Sequence, residues 1–227
     1  MSVPARVELV SLDVGYTLGE PAGTTMTQRL VALSPLPSQQ AKRLAQEHLH
    51  TALPGDTDAV TLACEALRIS PEDFPHDHQP PDFTWWSDAV ECVTVISHTV
   101  PVVTMSNVSS WDEQKGDVAR HLGSCLTAHY PSWRLGFAKP DPRALRAVAA
   151  RHDVPVSGLV HVGDSLDYDV LGALSAGARA IWITTGDRAA QAAGLLKAHR
   201  GQITVAPDLR TATGHLRAAT AAPPILT

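Results

Sequence analysis

The sequence predicts an α/β fold: a doubly wound parallel sheet with an inserted helical cap domain. Two observations lead to this prediction. Short apolar runs alternate with segments of helical periodicity over most of the chain, as in a parallel sheet covered on both faces. Between residues 19 and 86 the alternation stops, and helical patterns separated by prolines take its place. We therefore assign residues 1–18 and 87–227 to an α/β core and residues 19–86 to the cap.

The core strands are predicted from apolar runs, several of which end at a polar residue. The predicted strands are Val7–Leu12, Val100–Met105, Leu126–His129, Leu159–Val162, Ala180–Ile183 and Ile203–Ala206. Capping residues mark helix boundaries between them. These boundaries are Asp141–Pro142 as cap and first helical residue, Gly177 as the end of a helix over Tyr168–Ala176, and Ser110 with Glu113 as a capping box.

The predicted cap contains three amphipathic helices, followed by a proline-rich return to the core. The helices are expected at Thr25–Leu33, Ser38–Leu53 and Thr57–Ile69, and a fourth helix near Ser87–Ser97 re-enters the core. The return, Ser70–Asp82, contains His76, Asp77 and His78, which we interpret as a polar loop because no further metal ligands lie nearby.

Composition excludes several classes of function. At 227 residues the chain can bury one substantial core, and 44% hydrophobic with 18% charged residues is typical of a globular protein. A net charge of −5 gives no reason to expect nucleic acid or an anionic membrane as a partner. No apolar run is long enough to span a bilayer, and the first ten residues lack a signal-peptide pattern. We therefore expect a cytoplasmic protein with three reduced cysteines.

Four polar motifs occur in order along the core. They are Asp13 with Thr17, Ser106 with Asn107, Lys139, and Gly163–Asp164 with Asp169. Three of the four follow an apolar run, which places them at strand ends, where open α/β sheets bind their ligands. Two acids, a hydroxyl and a lysine brought together there predict a site for Mg²⁺ and phosphate.

The order and spacing of these motifs resemble the haloacid dehalogenase superfamily, which has a Rossmann-like core. The similarity is to the subgroup whose helical cap is inserted after the first motif, and it covers nearly the whole chain. The resemblance implies a hydrolase in which Asp13 attacks phosphorus and forms an aspartyl-phosphate. It also implies Mg²⁺ as cofactor, held by Asp13, the backbone carbonyl of Gly15 and Asp164.

The same resemblance implies roles for the remaining motif residues. Lys139 would supply a fixed positive charge to Asp13 and to the transferring group. Ser106 and Asn107 would bind the substrate, with the Ser106 hydroxyl donating to a phosphate oxygen. Asp169 would orient Lys139 or the metal-bound waters from behind. The implied substrate is a small phosphorylated metabolite, and the implied protein is a phosphatase.

Gly15 departs from the family pattern, since most of its phosphatases carry a second aspartate there. That aspartate protonates the leaving oxygen and then activates water, which is worth about 10²–10⁴ in rate. Three outcomes stay open: a substrate with a good leaving group, a proton from another residue, or a catalytically impaired scaffold that binds phosphate and metal in a regulatory role. Tyr16 is a candidate donor, although packing under the cap is the alternative for this aromatic residue.

Two other chemistries in the superfamily also lack that acid. Haloacid dehalogenases replace the Gly-Asp pair of the fourth motif by Ser and Asn residues, whereas this chain retains Asp164 and Asp169, so dehalogenation is not expected. Phosphonoacetaldehyde hydrolases carry Ala at the position of Gly15 and use a cap lysine as a nucleophile. Lys42 is the single lysine of the predicted cap, and its place beside Arg43 on a polar helix face predicts a solvated side chain.

Overall fold

A six-stranded sheet forms the centre of the protein in a computed structural model that describes residues 6–113 and 117–221. The strands of the chain are β1 Leu9–Leu12, β2 Gly19–Pro21, β3 Phe83–Trp85, β4 Val102–Ser106, β5 Ala128–Pro131, β6 Leu159–Gly163, β7 Arg179–Ile183 and β8 Ile203–Ala206. The central sheet has the order β5-β4-β1-β6-β7-β8, and each neighbouring pair is parallel. The predicted doubly wound parallel sheet is therefore confirmed.

Strand β1 lies at the point where the sheet reverses its order. It pairs with β4 on one side and with β6 on the other; the chain leaves β1 towards β4 and leaves β6 towards β7, so the loops after β1 and β6 turn away from each other. Ligands of open α/β sheets bind at the carboxyl end of such a strand. The residue at that position is Asp13, whose backbone amide donates to the carbonyl of Val162 at 2.8 Å.

Helices cover both faces of the sheet. They are α1 Met26–Leu33, α2 Ser38–Leu49, α3 Thr57–Leu67, α4 Ala89–Ser97, α5 Asp117–Leu122, α6 Ser132–Leu135, α7 Pro142–Arg151, α8 Leu171–Ala176, α9 Gly186–Gln191, α10 Ala193–Ala198 and α11 Leu209–Ala221. Successive residues of β1 point to opposite faces, so Val10 packs with α4 and α11 while Leu9 packs with α7 and α8. None of the helices in the described residues is long and apolar enough to cross a membrane.

Helices α1, α2 and α3 form a hydrophobic cluster of their own. Its buried members include Leu30, Ala45, Leu49 and Leu67. The apolar residues of α2 recur at helical spacing and face α1 and α3, as the sequence pattern predicted. This separate cluster supports, as a proposal, a cap that extends from residue 19 to residue 86.

Two short strands join the cap to the core, and the sequence did not predict them. Strands β2 and β3 pair antiparallel, with Gly19 opposite Trp85. A Cβ on Gly19 would lie 2.3 Å from the carbonyl oxygen of Thr84, so the close approach requires glycine. Three-residue strands carry no detectable periodicity, which is why helices alone were expected between residues 19 and 86.

The predicted helix ends were right in some places and wrong in others. Asp141 caps α7 by accepting a hydrogen bond from the amide of Arg143, and Gly177 ends α8 with φ +92°. The predicted helix Tyr168–Ala176 is helical throughout, but its first residues belong to a π-helical turn, Leu166–Val170, that leads directly into α8. Helices α2 and α3 also end earlier than predicted: their C-terminal capping residues are His50 and Arg68, whereas the helices were expected to extend to Leu53 and Ile69.

The capping box predicted at Ser110 and Glu113 is wrong. The Ser110 hydroxyl is buried and has no hydrogen-bond partner among the described residues. The Glu113 carboxylate instead accepts a hydrogen bond from the indole of Trp133 at 2.7 Å and lies 3.4 Å from His129. The Glu113 side chain therefore contacts residues that are distant in the sequence instead of capping a helix. Residues 114–116 lie outside the described residues.

Candidate active site

The four motifs come together at the carboxyl edge of the central sheet. Asp13 follows β1, Ser106 is the last residue of β4, and Asp164 follows β6. Lys139 reaches the same place from the loop between α6 and α7. All of these residues line one cavity, together with Gly15, Asn107 and Asp169. Asp13 is 126 residues from Lys139 and 151 residues from Asp164 in the sequence, so only the sheet order places them side by side.

Lys139 lies at the centre of the polar cluster. Its Nζ donates to Oδ1 of Asp13 at 2.7 Å and to Oδ1 of Asp169 at 2.6 Å. The lysine is 3% exposed and Asp13 is 8% exposed. Burial alone would lower the pKa of Lys139, but the two carboxylates outweigh it and raise that pKa. Lys139 is therefore a permanent cation that faces both acids.

The two carboxylates beside Lys139 titrate in opposite directions. Burial raises the pKa of Asp13 well above its ordinary value, and this effect exceeds the opposing pull of Lys139. Burial also acts to raise the pKa of Asp169, but Lys139 and the hydrogen bond from His161 outweigh it and hold that pKa below its usual range. Asp169 is thus the ionised partner of the lysine, and Asp13 is the acid that a further cation would ionise.

Asp169 is held on all sides by hydrogen bonds. Its Oδ2 accepts from the backbone amide of Ser165 at 2.9 Å, while Oδ1 receives Lys139 and lies 3.1 Å from Nε2 of His161. A Cβ on Gly163 would come within 2.2 Å of the Asp169 carboxyl group, so glycine is required where the acid packs against the strand. With its oxygens engaged in this way, Asp169 is suited to orient Lys139.

Three carboxylates can supply ligand atoms for a divalent cation. One oxygen from each of Asp13, Asp164 and Asp169 lies within 4.8 Å of the others. Carboxylate oxygens are the ligands that Mg²⁺ prefers, so this donor set fits the ion. Burial, and then the charge of Asp169, raise the pKa of Asp164, a like-charge strain that a bound cation would relieve. Because both oxygens of Asp169 are engaged, by Lys139 and by the Ser165 amide, whereas Lys139 holds only Oδ1 of Asp13, Asp13 and Asp164 are the two acids better placed for direct coordination.

Asn107 positions the backbone of Lys139. Its side-chain Nδ2 donates to the Lys139 carbonyl at 2.6 Å, and its Oδ1 accepts from the Lys139 amide at 2.8 Å. This double hydrogen bond ties the loop that carries the lysine to the end of β4. We therefore assign the Asn107 amide to positioning of Lys139, while substrate binding by Asn107 stays a prediction. Ser106, the residue that precedes Asn107, also lines the cavity.

His161 is the polar residue of this site that sequence reasoning missed. It is fully buried on β6, with Nδ1 3.0 Å from the hydroxyl of Ser11 and Nε2 3.4 Å from Nζ of Lys139. Burial and the neighbouring lysine lower its pKa, so the ring is neutral. The available signal was a single histidine inside the apolar strand sequence Leu-Val-His-Val-Gly, two residues before the fourth motif.

Gly15 leaves open space at the position where the family resemblance implied a second acid. A Cβ built on this glycine has no other atom within 4 Å, and its φ lies outside the left-handed region. The next residue, Tyr16, has φ +60° and is 56% exposed, so it is not packed tightly under the cap. Both residues line the cavity, and the missing side chain enlarges it beside Asp13.

The cavity extends from Asp13 to the cap and has a volume of about 1110 Å³. Its cap wall includes residues from α1 and α2, and its core wall includes the polar cluster around Lys139. One hydrogen bond crosses it: the hydroxyl of Tyr168 donates to Oε1 of Gln46 at 2.9 Å. A cavity of this size holds a small organic molecule.

A second cap–core connection passes through Asp112. Its Oδ1 accepts from the backbone amide of Met26, the first residue of α1, at 2.7 Å and lies 2.9 Å from Nε2 of His78. The His78 side chain is only 2% exposed. Residues 76–78 lie in a loop as predicted, but His78 is a buried partner of Asp112, which the sequence did not predict.

Known proteins resemble this chain in sequence over part of its length. The HAD-hydrolase-like family model matches residues 136–212, the segment that contains Lys139, Asp164 and Asp169. A phosphoserine phosphatase of Thermus thermophilus is 37% identical over 71 residues, which are 30% of this chain. The chain spans 28% of the length of that relative.

Solved structures resemble the chain over nearly its whole length. A 2-haloacid dehalogenase of Pseudomonas syringae superposes with a TM-score of 0.56 and 22% identity, covering 93% of this chain and 98% of the other. A HAD phosphatase of Thermococcus onnurineus superposes with a TM-score of 0.53 and 18% identity, covering 94% and 98%. At these identities the similarity shows the fold, which phosphatases and dehalogenases share. The fold and the match over residues 136–212 agree with the resemblance that the four motifs predicted: the chain has the fold of the haloacid dehalogenase-like structures, a Rossmann-like core with a helical cap, and is similar in sequence to HAD-like hydrolases over that segment.

Proposed function

We propose that this protein is a Mg²⁺-dependent phosphatase that hydrolyses a small-molecule phosphomonoester through an aspartyl-phosphate at Asp13. One observation carries the proposal: the Asp13 carboxylate lies beside a buried lysine and a second acid, Asp164, at one end of a large cavity. This combination of charges suits a phosphoryl group better than a neutral carbon centre. The partial similarity to a phosphoserine phosphatase supports phosphoryl chemistry, and we further propose a cytoplasmic location.

Asp13 is the proposed nucleophile because one of its oxygens is held by Lys139 while the residue borders the cavity. The carboxylate would form an O–P bond to the substrate as the bond to the leaving oxygen breaks, and water would then hydrolyse the aspartyl-phosphate and regenerate Asp13. Lys139 would stabilise the charge on the transferring group, and Ser106 would donate to one of its oxygens. Asp169, His161 and Asn107 keep the lysine in place.

A divalent cation is required in this proposal because a carboxylate and a phosphate dianion repel each other. Asp13 and Asp164, with the backbone carbonyl of Gly15, would hold the ion. When bound, Mg²⁺ would neutralise charge on the nucleophile and the phosphoryl group. Burial raises the pKa of Asp13, so a further positive charge beside it would favour the ionised nucleophile.

The open space at Gly15 limits which substrates this site can hydrolyse. With no acid there, the leaving oxygen departs without a proton from the second aspartate of related phosphatases. We therefore propose a substrate with a stable leaving group, such as an aryl or acyl phosphate. The alternative, favoured by the same glycine, is an impaired scaffold that binds phosphate and metal and has a regulatory role.

A substrate panel with matched variants distinguishes the two functions. Aryl, acyl and sugar phosphates are incubated with Mg²⁺ or with EDTA, and phosphate release is measured for the wild type, Asp13→Asn and Asp167→Asn. Asp167 is exposed and does not line the cavity, so its variant controls for loss of one acid. Mg²⁺-dependent release that only Asp13→Asn abolishes supports the phosphatase. Absence of turnover throughout, with phosphate still bound in calorimetry, supports the scaffold.

A further inference from the structure

Helix α2 presents a polar stripe to the cavity. Gln39, Lys42 and Gln46 follow one another at spacings of three and four residues, and His50 continues the series at the helix end. All four line the cavity. The opposite face of α2, with Ala41, Ala45 and Leu49, is buried in the cap cluster. Helical geometry therefore fixes which side chains face the substrate.

The two walls of the cavity carry different charges. The core wall contains six carboxylates: Asp13, Asp112, Glu113, Asp117, Asp164 and Asp169. Among the described residues of the cap, no Asp or Glu lines the cavity, and the polar groups there are hydroxyls, amides, one histidine and Lys42. The histidine is neutral, because burial lowers the pKa of His50 to about 4. Lys42 is thus the one charged group of the cap wall in the part of the chain that the structure describes.

Lys42 has no partner of its own. Lys139, the other lysine of the cavity, is bonded to two carboxylates, whereas Lys42 forms neither an ion pair nor a hydrogen bond with the described residues. Burial lowers the pKa of His50, and the charge of Lys42, which lies about two helical turns earlier on the same face of α2, adds to that effect. A cation that faces a cavity without a counter-ion is available to an anionic ligand.

Gln46 adds hydrogen-bond donors beside this cation. Its Oε1 is the acceptor for the Tyr168 hydroxyl, which leaves the two N–H groups of the amide for a ligand. The same hydrogen bond ties the middle of α2 to the core and sets the distance between the stripe and Asp13. An ammonium group next to a free amide N–H₂ is complementary to a carboxylate or phosphate, and not to a cation.

We propose that the leaving group of the substrate carries its own anionic group, which Lys42 and Gln46 bind on the cap wall while the phosphoryl group lies at Asp13. This inference rests on the phosphatase function proposed above and specifies its substrate class: phosphomonoesters with a carboxylate or a second phosphate away from the scissile bond. Lys42 acts here as a specificity-determining residue, and its amine stays protonated and takes no part in bond making.

Paired aryl phosphates test this assignment. Each pair has the same ring and phosphate but carries either a carboxylate or a neutral carboxamide, placed directly on the ring or on a short methylene spacer. A third ester carries a phosphonate and separates a preference for phosphate from one for carboxylate. Steady-state kinetics are measured with the wild type, Lys42→Gln, Lys42→Arg and Arg43→Gln. Arg43 is the matched control, since it is an exposed cation next in sequence that does not line the cavity.

We expect the wild type to prefer the anionic member of a pair through a lower KM. Lys42→Gln should reduce that preference about tenfold. This is the low end of the effect expected for loss of a hydrogen bond to a charged group, because Lys42 is exposed. Lys42→Arg should keep most of it, and Arg43→Gln should leave the ratio unchanged. An equal preference in the wild type and Lys42→Gln, or an equal loss in Arg43→Gln, overturns the assignment.

Two further measurements separate this inference from the proposed function. Turnover of 4-nitrophenyl phosphate, which has no second anion, tests the phosphatase alone. Calorimetric binding of non-hydrolysable aryl phosphonates, again as carboxylate and carboxamide pairs, tests Lys42 even if no ester is hydrolysed. Tighter binding of the carboxylate that depends on Lys42 supports the inference, and equal binding of the two members refutes it whatever the catalytic result.

Discussion

Replacement of Lys139 by methionine tests the charge balance of the site most directly. The methionine side chain has nearly the length of the lysine stem but removes the ammonium group. In the wild type that group lies 2.7 Å from Asp13 and 2.6 Å from Asp169, and the three side chains are 2%, 12% and 3% exposed. The variant therefore leaves two carboxylates in a buried site without their shared cation.

The expected loss of stability follows from these contacts. Removal of one partner from a buried ion pair costs about 3–5 kcal/mol. Asp169 keeps its contact with His161 and its hydrogen bond from the Ser165 amide, which argues for the lower end, about 3 kcal/mol. Without Lys139 the pKa of Asp13 rises further in the folded state, and the pKa of Asp169 rises because the lysine no longer holds it low. A group with a raised folded pKa favours folding at low pH and disfavours it as the pH increases, so the loss should be larger at pH 8 than at pH 5.

Urea unfolding in EDTA, followed by tryptophan fluorescence, measures this difference. The control is Lys197→Met, which removes an exposed lysine on α10 and should change the free energy of unfolding little. Phosphate release with Mg²⁺ should be lost in Lys139→Met and retained in the control. The reasoning is refuted if both variants unfold with the same free energy at pH 8, or if the loss in Lys139→Met does not depend on pH.

Two further changes probe the positions that set this site apart. Gly15→Asp adds a carboxylate where a Cβ has free space. The rate of hydrolysis of esters with poor leaving groups, such as sugar phosphates, should therefore rise by up to about 10²-fold. Gly15→Asn is the control, and an equal rise in both variants would contradict acid catalysis. His50 has a folded pKa of about 4 against 6.5 unfolded, so its stabilising effect is complete above pH 6.5 and is lost as the pH falls towards 4. Between pH 7 and pH 4 the free energy of unfolding of the wild type should therefore fall by about 3 kcal/mol more than that of His50→Gln. If the free energies of unfolding of the two proteins fall in parallel over this pH range, the assignment is contradicted.

The accuracy of sequence reasoning differed with the range of the interactions involved. The cap of α7 was predictable because Asp141 and Pro142 act on their own helix, and the buried strands were predictable because their apolar runs are continuous. The capping box at Glu113 failed because Trp133 and His129, which lie 20 and 16 residues further along the chain, bind the same carboxylate. Strands β2 and β3 failed because their pairing depends on the path of the whole cap between them.

The sequence alone determined the fold class, the order of the motifs and the chemical identity of the groups at the strand ends. The tertiary structure decided how these groups divide the work. It bonded Asp169 and Asn107 to Lys139, placed His161 behind them, and set the exposed Lys42 in the cavity wall. Burial and charge pairing depend on neighbours from distant parts of the chain, and local sequence patterns contain no record of which neighbours those will be.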